Sequence, residues 1–152
     1  MKIAMMASEA APFVKTGGLG DVAQALPQAL SAIPGNEVVL FLPYYKRIKE
    51  NPAVAVEFVG SFSMELAWRE SYVGIFCLKS RRKKLKIYFI DNDYYFGSRN
   101  SVYGDFDDGE RFAYFSKAVM AALYYIDFKP EILHCHDWET AMGIVYCRAL
   151  YG

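Results

Sequence analysis

The chain has 152 residues, 54% of them apolar and 16% aromatic, and a formal net charge of zero. That length suits one domain able to bury a core, and that composition excludes a disordered chain. A neutral balance gives no general attraction to nucleic acid or to an anionic membrane, and no apolar run approaches the ~18 residues of a membrane span.

Residues Ile3 to Ala7 read as a short buried strand. Glu9 interrupts the apolar stretch too early for a secretory signal. Cys77, Cys135 and Cys147 form no CxxC pair and no even set, so reduced, buried thiols in a cytoplasmic protein are expected. From Leu19 onward apolar residues recur at Val22, Ala23, Leu26, Leu30 and Ile33, which is helical spacing. Between strand and helix lies Lys15-Thr16-Gly17-Gly18-Leu19-Gly20-Asp21. A glycine loop at a helix N-terminus presents unpaired N–H groups at the positive end of the helix dipole, which favours an anion, phosphate above all.

Pro34-Gly35-Asn36 marks a turn, and Val38 to Leu42 is a second wholly apolar strand stopped by Pro43. Strand, helix, strand in this order predicts a right-handed parallel unit whose sheet is covered on both faces. The middle changes character. Val56, Phe58, Phe62, Met64, Leu66 and Trp68 suggest a period of two, continued by Tyr72–Leu78 and Leu85–Ile90. An inserted antiparallel segment is expected, with Leu85–Ile90 returning to the main sheet. Arg81-Arg82-Lys83-Lys84 then falls at a solvated hairpin tip that discourages edge pairing.

Asn92–Asp108 reads as a long loop, followed by a helix opened by a capping box of Asp107 and Glu110. Phe112, Phe115, Val119, Ala122, Leu123 and Ile126 give that helix its core face. Ile132–His136 is a further strand, and Trp138, Ala141, Met142, Val145 and Ala149 are expected to line a last helix.

In an open parallel sheet, ligands bind at the carboxyl ends of the strands. Two groups are predicted to meet there: the Lys15–Asp21 loop and His134-Cys135-His136-Asp137-Trp138. Asp21 either complements the helix dipole or accepts hydrogen bonds from sugar hydroxyls. Asp137 either caps the last helix or, beside Trp138, forms the carboxylate–aromatic pair that carbohydrate sites use. His134 and His136 share a strand face, but their spacing fits none of the usual zinc patterns. No Ser-His-Asp arrangement is apparent, since Ser8 and Ser116 lack a nucleophile-elbow context. The loop is not a GxGxxG fingerprint, and Leu42-Pro43-Tyr44 offers no acidic residue for a nicotinamide cofactor's ribose.

Met1–Ala11, Lys15–Val22 (KTGGLGDV) and His134–Ala141 (HCHDWETA) resemble the bacterial glycogen synthase and plant starch synthase family. Tyr103-Gly104 and Asp108-Gly109-Glu110-Arg111-Phe112 look like the same family's YGD…DNxxRF region. The resemblance covers essentially the whole chain. It implies a retaining glucosyltransferase of two facing Rossmann-like domains, the GT-B architecture, which moves glucose from ADP-glucose to the non-reducing end of an α-1,4-glucan without a metal or other cofactor. Residues 1–152 would be an incomplete N-terminal Rossmann-like domain of such an enzyme. Carried over by motif, Lys15, Gly17 and Gly18 contact the donor; Asp21, Tyr95, Asp137 and Trp138 shape the sugar sites, with Asp137 at the catalytic centre. Phe96-Gly97-Ser98-Arg99-Asn100 departs from the family's usual pattern beside Tyr95. The family's enzymes are much longer, and their C-terminal nucleotide-binding domain is not represented here. The chain by itself is therefore expected to be inactive. The alternative is a standalone glucan- or nucleotide-sugar-binding module, with an NAD-binding domain the weaker third.

Overall fold

Wholly apolar stretches become the inner strands. In the computed structural model, which describes residues 1–152, the elements run β1 (Lys2–Met6), α1 (Gly18–Ser31), β2 (Glu37–Pro43), α2 (Lys46–Lys49), β3 (Val56–Leu66), β4 (Arg69–Leu78), β5 (Leu85–Asp91), α3 (Asp108–Tyr125), β6 (Ile132–Cys135) and α4 (Met142–Leu150). They form one six-stranded sheet in the order β3-β4-β5-β2-β1-β6. The strands β5, β2, β1 and β6 are parallel, and the hairpin β3–β4 joins β5 antiparallel. This is the expected α/β architecture, with the inserted antiparallel segment at one edge and β5 returned to the main sheet.

Parallel pairing aligns side chains across the sheet. Met5, Leu40 and Ile87 share one face, while Met6, Phe41 and Tyr88 share the other. Helix α1 covers the first face, where Ala23 and Pro27 meet Leu40 and Ile87 around a shallow cavity of about 160 Å³. Helix α4 lies on the second face: Gly143 sits so near Met6 and Cys135 that a Cβ there would come within 2.9 Å of Met6 Sδ and 3.1 Å of Cys135 Sγ. Helix α3 fills the same layer with Phe112, Phe115, Val119, Ala122 and Leu123 fully buried.

Four local expectations need correction. Helix α1 buries Ala23 and packs Leu26 and Leu30 against the core as expected, and adds Gly20 and Pro27, but Val22 and Ile33 are exposed. Small residues make the most buried contacts of this helix, with Leu26 and Leu30 packed partly against the core. In α4, Met142 and Val145 point to solvent and only Gly143 is buried. The helix packs through its smallest residue, and an apolar stripe is left outside. The capping box does not form. Asp107 makes no cap bond, because Arg99 Nη2 holds its carboxylate at 2.7 Å and Glu110 is drawn to Tyr95 and Arg69. Within the predicted 92–108 loop, Asp93–Gly97 forms one π-helical turn, capped by Asn92.

Candidate functional site

The sheet's connections set the site. Helix α1 carries the chain from β1 to β2 on one face, and α3 carries it from β5 to β6 on the other. The direction of winding therefore reverses between β1 and β6. At such a switch point the loops leaving adjacent parallel strands diverge and open a crevice. Here those loops are Ser8–Gly17 and His136–Thr140, held together at their roots by a bond from the His136 amide to the Met6 carbonyl (3.1 Å). The two sequence groups predicted to meet at this edge do so.

Gly17 is the residue before α1, at φ −161°, an extended conformation open to any residue. A Cβ on Gly17 or Gly18 would meet nothing within 4 Å. The fold itself therefore does not require glycine at either position, and the bare backbone faces open space. The amides of Gly18 and Leu19, in the first helical turn, make no hydrogen bond within the chain. Lys15 Nζ lies 3.0 Å from Asp21, with both side chains about half exposed or more (49% and 61%). An ion pair this exposed contributes little, about 0–1 kcal/mol, so Lys15 can exchange Asp21 for another anion at small cost.

Beneath the loop lies Glu9, only 3% exposed. Its Oε2 accepts from the amides of Thr16 (2.7 Å) and Gly17 (3.2 Å). Its Oε1 accepts from the hydroxyls of Thr16 (2.8 Å) and Tyr103 (2.8 Å). Burial alone pushes the carboxyl up, but these bonds outweigh it and hold Glu9 below the usual carboxylate range. The Tyr103 hydroxyl also lies 2.6 Å from Ser8 Oγ, and Tyr45 donates to the Ser8 carbonyl at 2.7 Å. The sequence reading missed Glu9 as a site residue. Its one signal was a lone charge just beyond a buried strand, where an ion must find partners.

Across the crevice, Asp137 adopts φ 63°, ψ −175°, a region populated almost only by glycine. Its exposed carboxylate accepts just the Trp138 amide, at 2.8 Å. Asp137 thus caps a turn of 3-10 helix (Trp138–Thr140) that precedes α4. Trp138 is 54% exposed, with its edge against Phe112, whose ring in turn meets Tyr103. The two loops are therefore linked through Phe112 and Tyr103, whose hydroxyl meets Glu9 and Ser8 of the first loop. His136 is buried, its ring stacked on His134 with centroids 4.1 Å apart. Burial first, and His134 second, lower its pKa to about 4, so it is neutral at ordinary pH. His136 Nε2 and Glu139 Oε2 are buried without a hydrogen bond, and burial raises the Glu139 pKa.

Tyr95 stands apart from the other predicted sugar contacts. It is 1% exposed, stacked on Tyr114 at 4.6 Å, and its hydroxyl donates to Glu110 at 2.7 Å. Burial and that carboxylate raise its pKa to about 12. It anchors the 92–108 segment from within, and the neighbouring Tyr94 is the exposed ring. The same segment is tied down by Arg111, which is fully buried. Its guanidinium donates to the carbonyls of Tyr95 (2.8 Å) and Val102 (3.2 Å) and to Asp108 (2.9 Å), and it lies over the Phe96 ring.

A parallel sheet covered on both faces, with a lysine-bearing glycine loop and an aspartate–tryptophan pair across its switch point, defines a doubly wound α/β domain with a crevice at its carboxyl edge. Comparison with known proteins narrows this. The chain belongs to the starch synthase catalytic domain family, whose model matches residues 2–152. It is 46% identical over 152 residues to a glycogen synthase of Clostridium novyi (strain NT), covering 99% of this chain and 31% of that protein. It is 50% identical over 142 residues to a glycogen synthase of Streptococcus pneumoniae (strain 70585), covering 93% and 29%. Among solved structures, the catalytic domain of Starch Synthase IV from Arabidopsis thaliana, bound to ADP and acarbose, superposes with a TM-score of 0.86 at 31% identity, over 98% of this chain and 30% of that one. The chain thus spans about a third of the length of the relatives it matches.

Proposed function

We propose that these residues form the N-terminal part of a glycogen synthase that transfers glucose from ADP-glucose to the non-reducing end of an α-1,4-glucan with retention of configuration. The observation that carries this reading is the bare Gly17–Gly18 backbone. Neither glycine is demanded by packing or by φ, and the amides of Gly18 and Leu19 lie unbonded at the start of a 14-residue helix. A ligand that must approach the backbone closely gives both glycines a purpose there. In this reading Lys15 and those amides take the charge of the departing diphosphate, so no metal is called for. Asp137 and Trp138 hold the reacting glucose or the acceptor, and Asp21, released by Lys15, accepts from a sugar hydroxyl. The buried Tyr95 has no sugar contact in it.

Titratable support comes from neighbouring groups: the buried His136 stays neutral beside Asp137 and adds no positive charge that would compete for its carboxylate. The identity of the relatives, two glycogen synthases, and of the ADP- and acarbose-bound neighbour agrees with a nucleotide donor and a glucan acceptor. The 152-residue polypeptide on its own is expected to be inactive, because about a third of such an enzyme cannot assemble both sides of the transition-state site. No helix is long and apolar enough to cross a membrane, and we place the enzyme in the cytoplasm.

The test follows from the glycine geometry. Gly18→Ala in the full-length protein is expected to keep its unfolding midpoint, since the added methyl meets nothing, yet to bind ADP-glucose about tenfold more weakly by calorimetry. Unchanged donor affinity in that variant, and in Lys15→Ala, would remove the loop from the donor site.

A further inference from the structure

We propose that Glu9 is a positioning residue: it acts as an internal hydrogen-bond acceptor that locks the glycine loop from below and decides which of its amides face the donor. This rests on the donor reading of the loop given above and goes beyond it. A glycine loop at a helix N-terminus offers a row of N–H groups, and any of them can serve a phosphate. Here Glu9 takes the first two, at Thr16 and Gly17, together with the Thr16 hydroxyl. What remains unbonded is the pair at Gly18 and Leu19. The loop is thereby divided into a half bound by the protein and a half left for ligand.

Three further observations make Glu9 part of the loop's construction. The carboxylate has no cationic partner within ion-pair distance, so its charge is answered by hydrogen-bond donors alone. Its fourth donor, Tyr103, comes from a segment 94 residues away in sequence, which ties the glycine loop to the segment packed under Phe112. Gly20 lies so close that a Cβ would come 3.1 Å from Glu9 Oε2 and 2.9 Å from Lys15 Cγ. The third glycine of the loop is therefore explained by Glu9 and Lys15, as the first two are explained by ligand. The Ala11 amide completes the clamp by donating to the Gly20 carbonyl at 3.0 Å. A loop fixed at both ends in this way meets the donor without first paying to become ordered.

The experiment uses the full-length protein with Glu9→Ala, Glu9→Gln and Lys15→Ala. Glutamine keeps one oxygen for the two amides, while its NH2 group can donate to the Thr16 and Tyr103 hydroxyls, which rotate to accept. Glu9→Ala is expected to raise KM for ADP-glucose by about tenfold and KM for glycogen by less than about twofold. Amide hydrogen exchange should rise within residues 15–20 and stay unchanged in β2 and β5. Glu9→Gln should restore most of both properties. Unchanged exchange at residues 15–20 in Glu9→Ala overturns the lock, as does a Glu9→Gln protein no better than Glu9→Ala. If Lys15→Ala raises the donor KM and Glu9→Ala does not, the positioning role alone fails. If neither does, the donor reading of the loop fails with it.

Discussion

Asp137 combines a strained backbone with an exposed carboxylate, and the two can be separated by substitution. At φ 63°, ψ −175° an L-residue carries about 1–3 kcal/mol of strain. Asp137→Gly releases that strain but loses about 0.5–1 kcal/mol to the greater freedom of glycine in the unfolded chain. Asp137→Ala keeps the strain. Both variants lose the bond from the Trp138 amide at 2.8 Å, worth about 0.5–1.5 kcal/mol, so that loss cancels when they are compared. Asp137→Gly is therefore expected to be more stable than Asp137→Ala by up to about 2.5 kcal/mol, the reverse of the order found at an ordinary position. Urea unfolding followed by far-UV circular dichroism reads the difference as a shift in midpoint at constant slope. Circular dichroism is preferred to fluorescence because Trp138 adjoins the change. In the full-length enzyme both variants should lose about 100-fold or more in glucosyl transfer, since the carboxylate is gone from each. An alanine variant as stable as the glycine variant would refute the strain argument. Full activity in either would refute the sugar-site role of Asp137.

Other outcomes follow from packing and charge. Gly143→Ala places a methyl against Met6 and Cys135 and should cost about 1–3 kcal/mol of stability in thermal or urea unfolding, even though alanine is the better helix former. Arg111→Met should cost about 3 kcal/mol or more, because it strips the carbonyls of Tyr95 and Val102 and the Asp108 carboxylate of a fully buried donor; proteolysis within residues 92–108 should accelerate. The depressed His136 pKa, about 4 against 6.5 when unfolded, means that the unfolded chain binds a proton the folded one refuses. Stability is therefore lost as pH falls from about 6.5 towards 4. Glu139, whose pKa is raised by burial, acts in the opposite sense, since the folded state takes up its proton more readily as pH falls. Replacing His136 with asparagine should flatten the fall in melting temperature between those pH values, and an unaltered profile would mean that His136 is not the group responsible.

Much of this architecture was legible because it rests on simple contrasts. Ile3–Ala7 and Val38–Leu42 are uninterrupted apolar runs and became the inner parallel strands β1 and β2. The alternation from Val56 onward became the β3–β4 hairpin, and α3 buries Phe112, Phe115, Val119, Ala122 and Leu123 of its expected stripe, with Ile126 half-buried just past its end. The glycine loop and the Asp137–Trp138 pair were found because each follows a strand that ends at the same edge. What stayed hidden depends on partners distant in sequence. Nothing near Glu9 announces Tyr103, and nothing near Tyr95 says that Glu110 and Tyr114 will draw its ring inward. Helix faces were misread where small residues make the contact. Val22 and Val145 belong to the expected stripes but are exposed, whereas Ala23, which the spacing includes, and Gly143, which it does not, are buried. The Asp107–Glu110 capping box failed for a related reason, since Arg99 and Arg69 compete for the same carboxylates.

The central claim is donor chemistry at the Lys15–Gly18 loop, and glucosyl transfer tests it most directly. The full-length protein and its Lys15→Ala variant would be given ADP-glucose and glycogen, with the linkage and anomeric configuration of the new residue followed by NMR. The account predicts α-1,4-linked glucose added with retention by the native protein and a large loss of rate in the variant. A folded full-length protein that transfers no glucose, or a Lys15→Ala enzyme as fast as the native one, would contradict it.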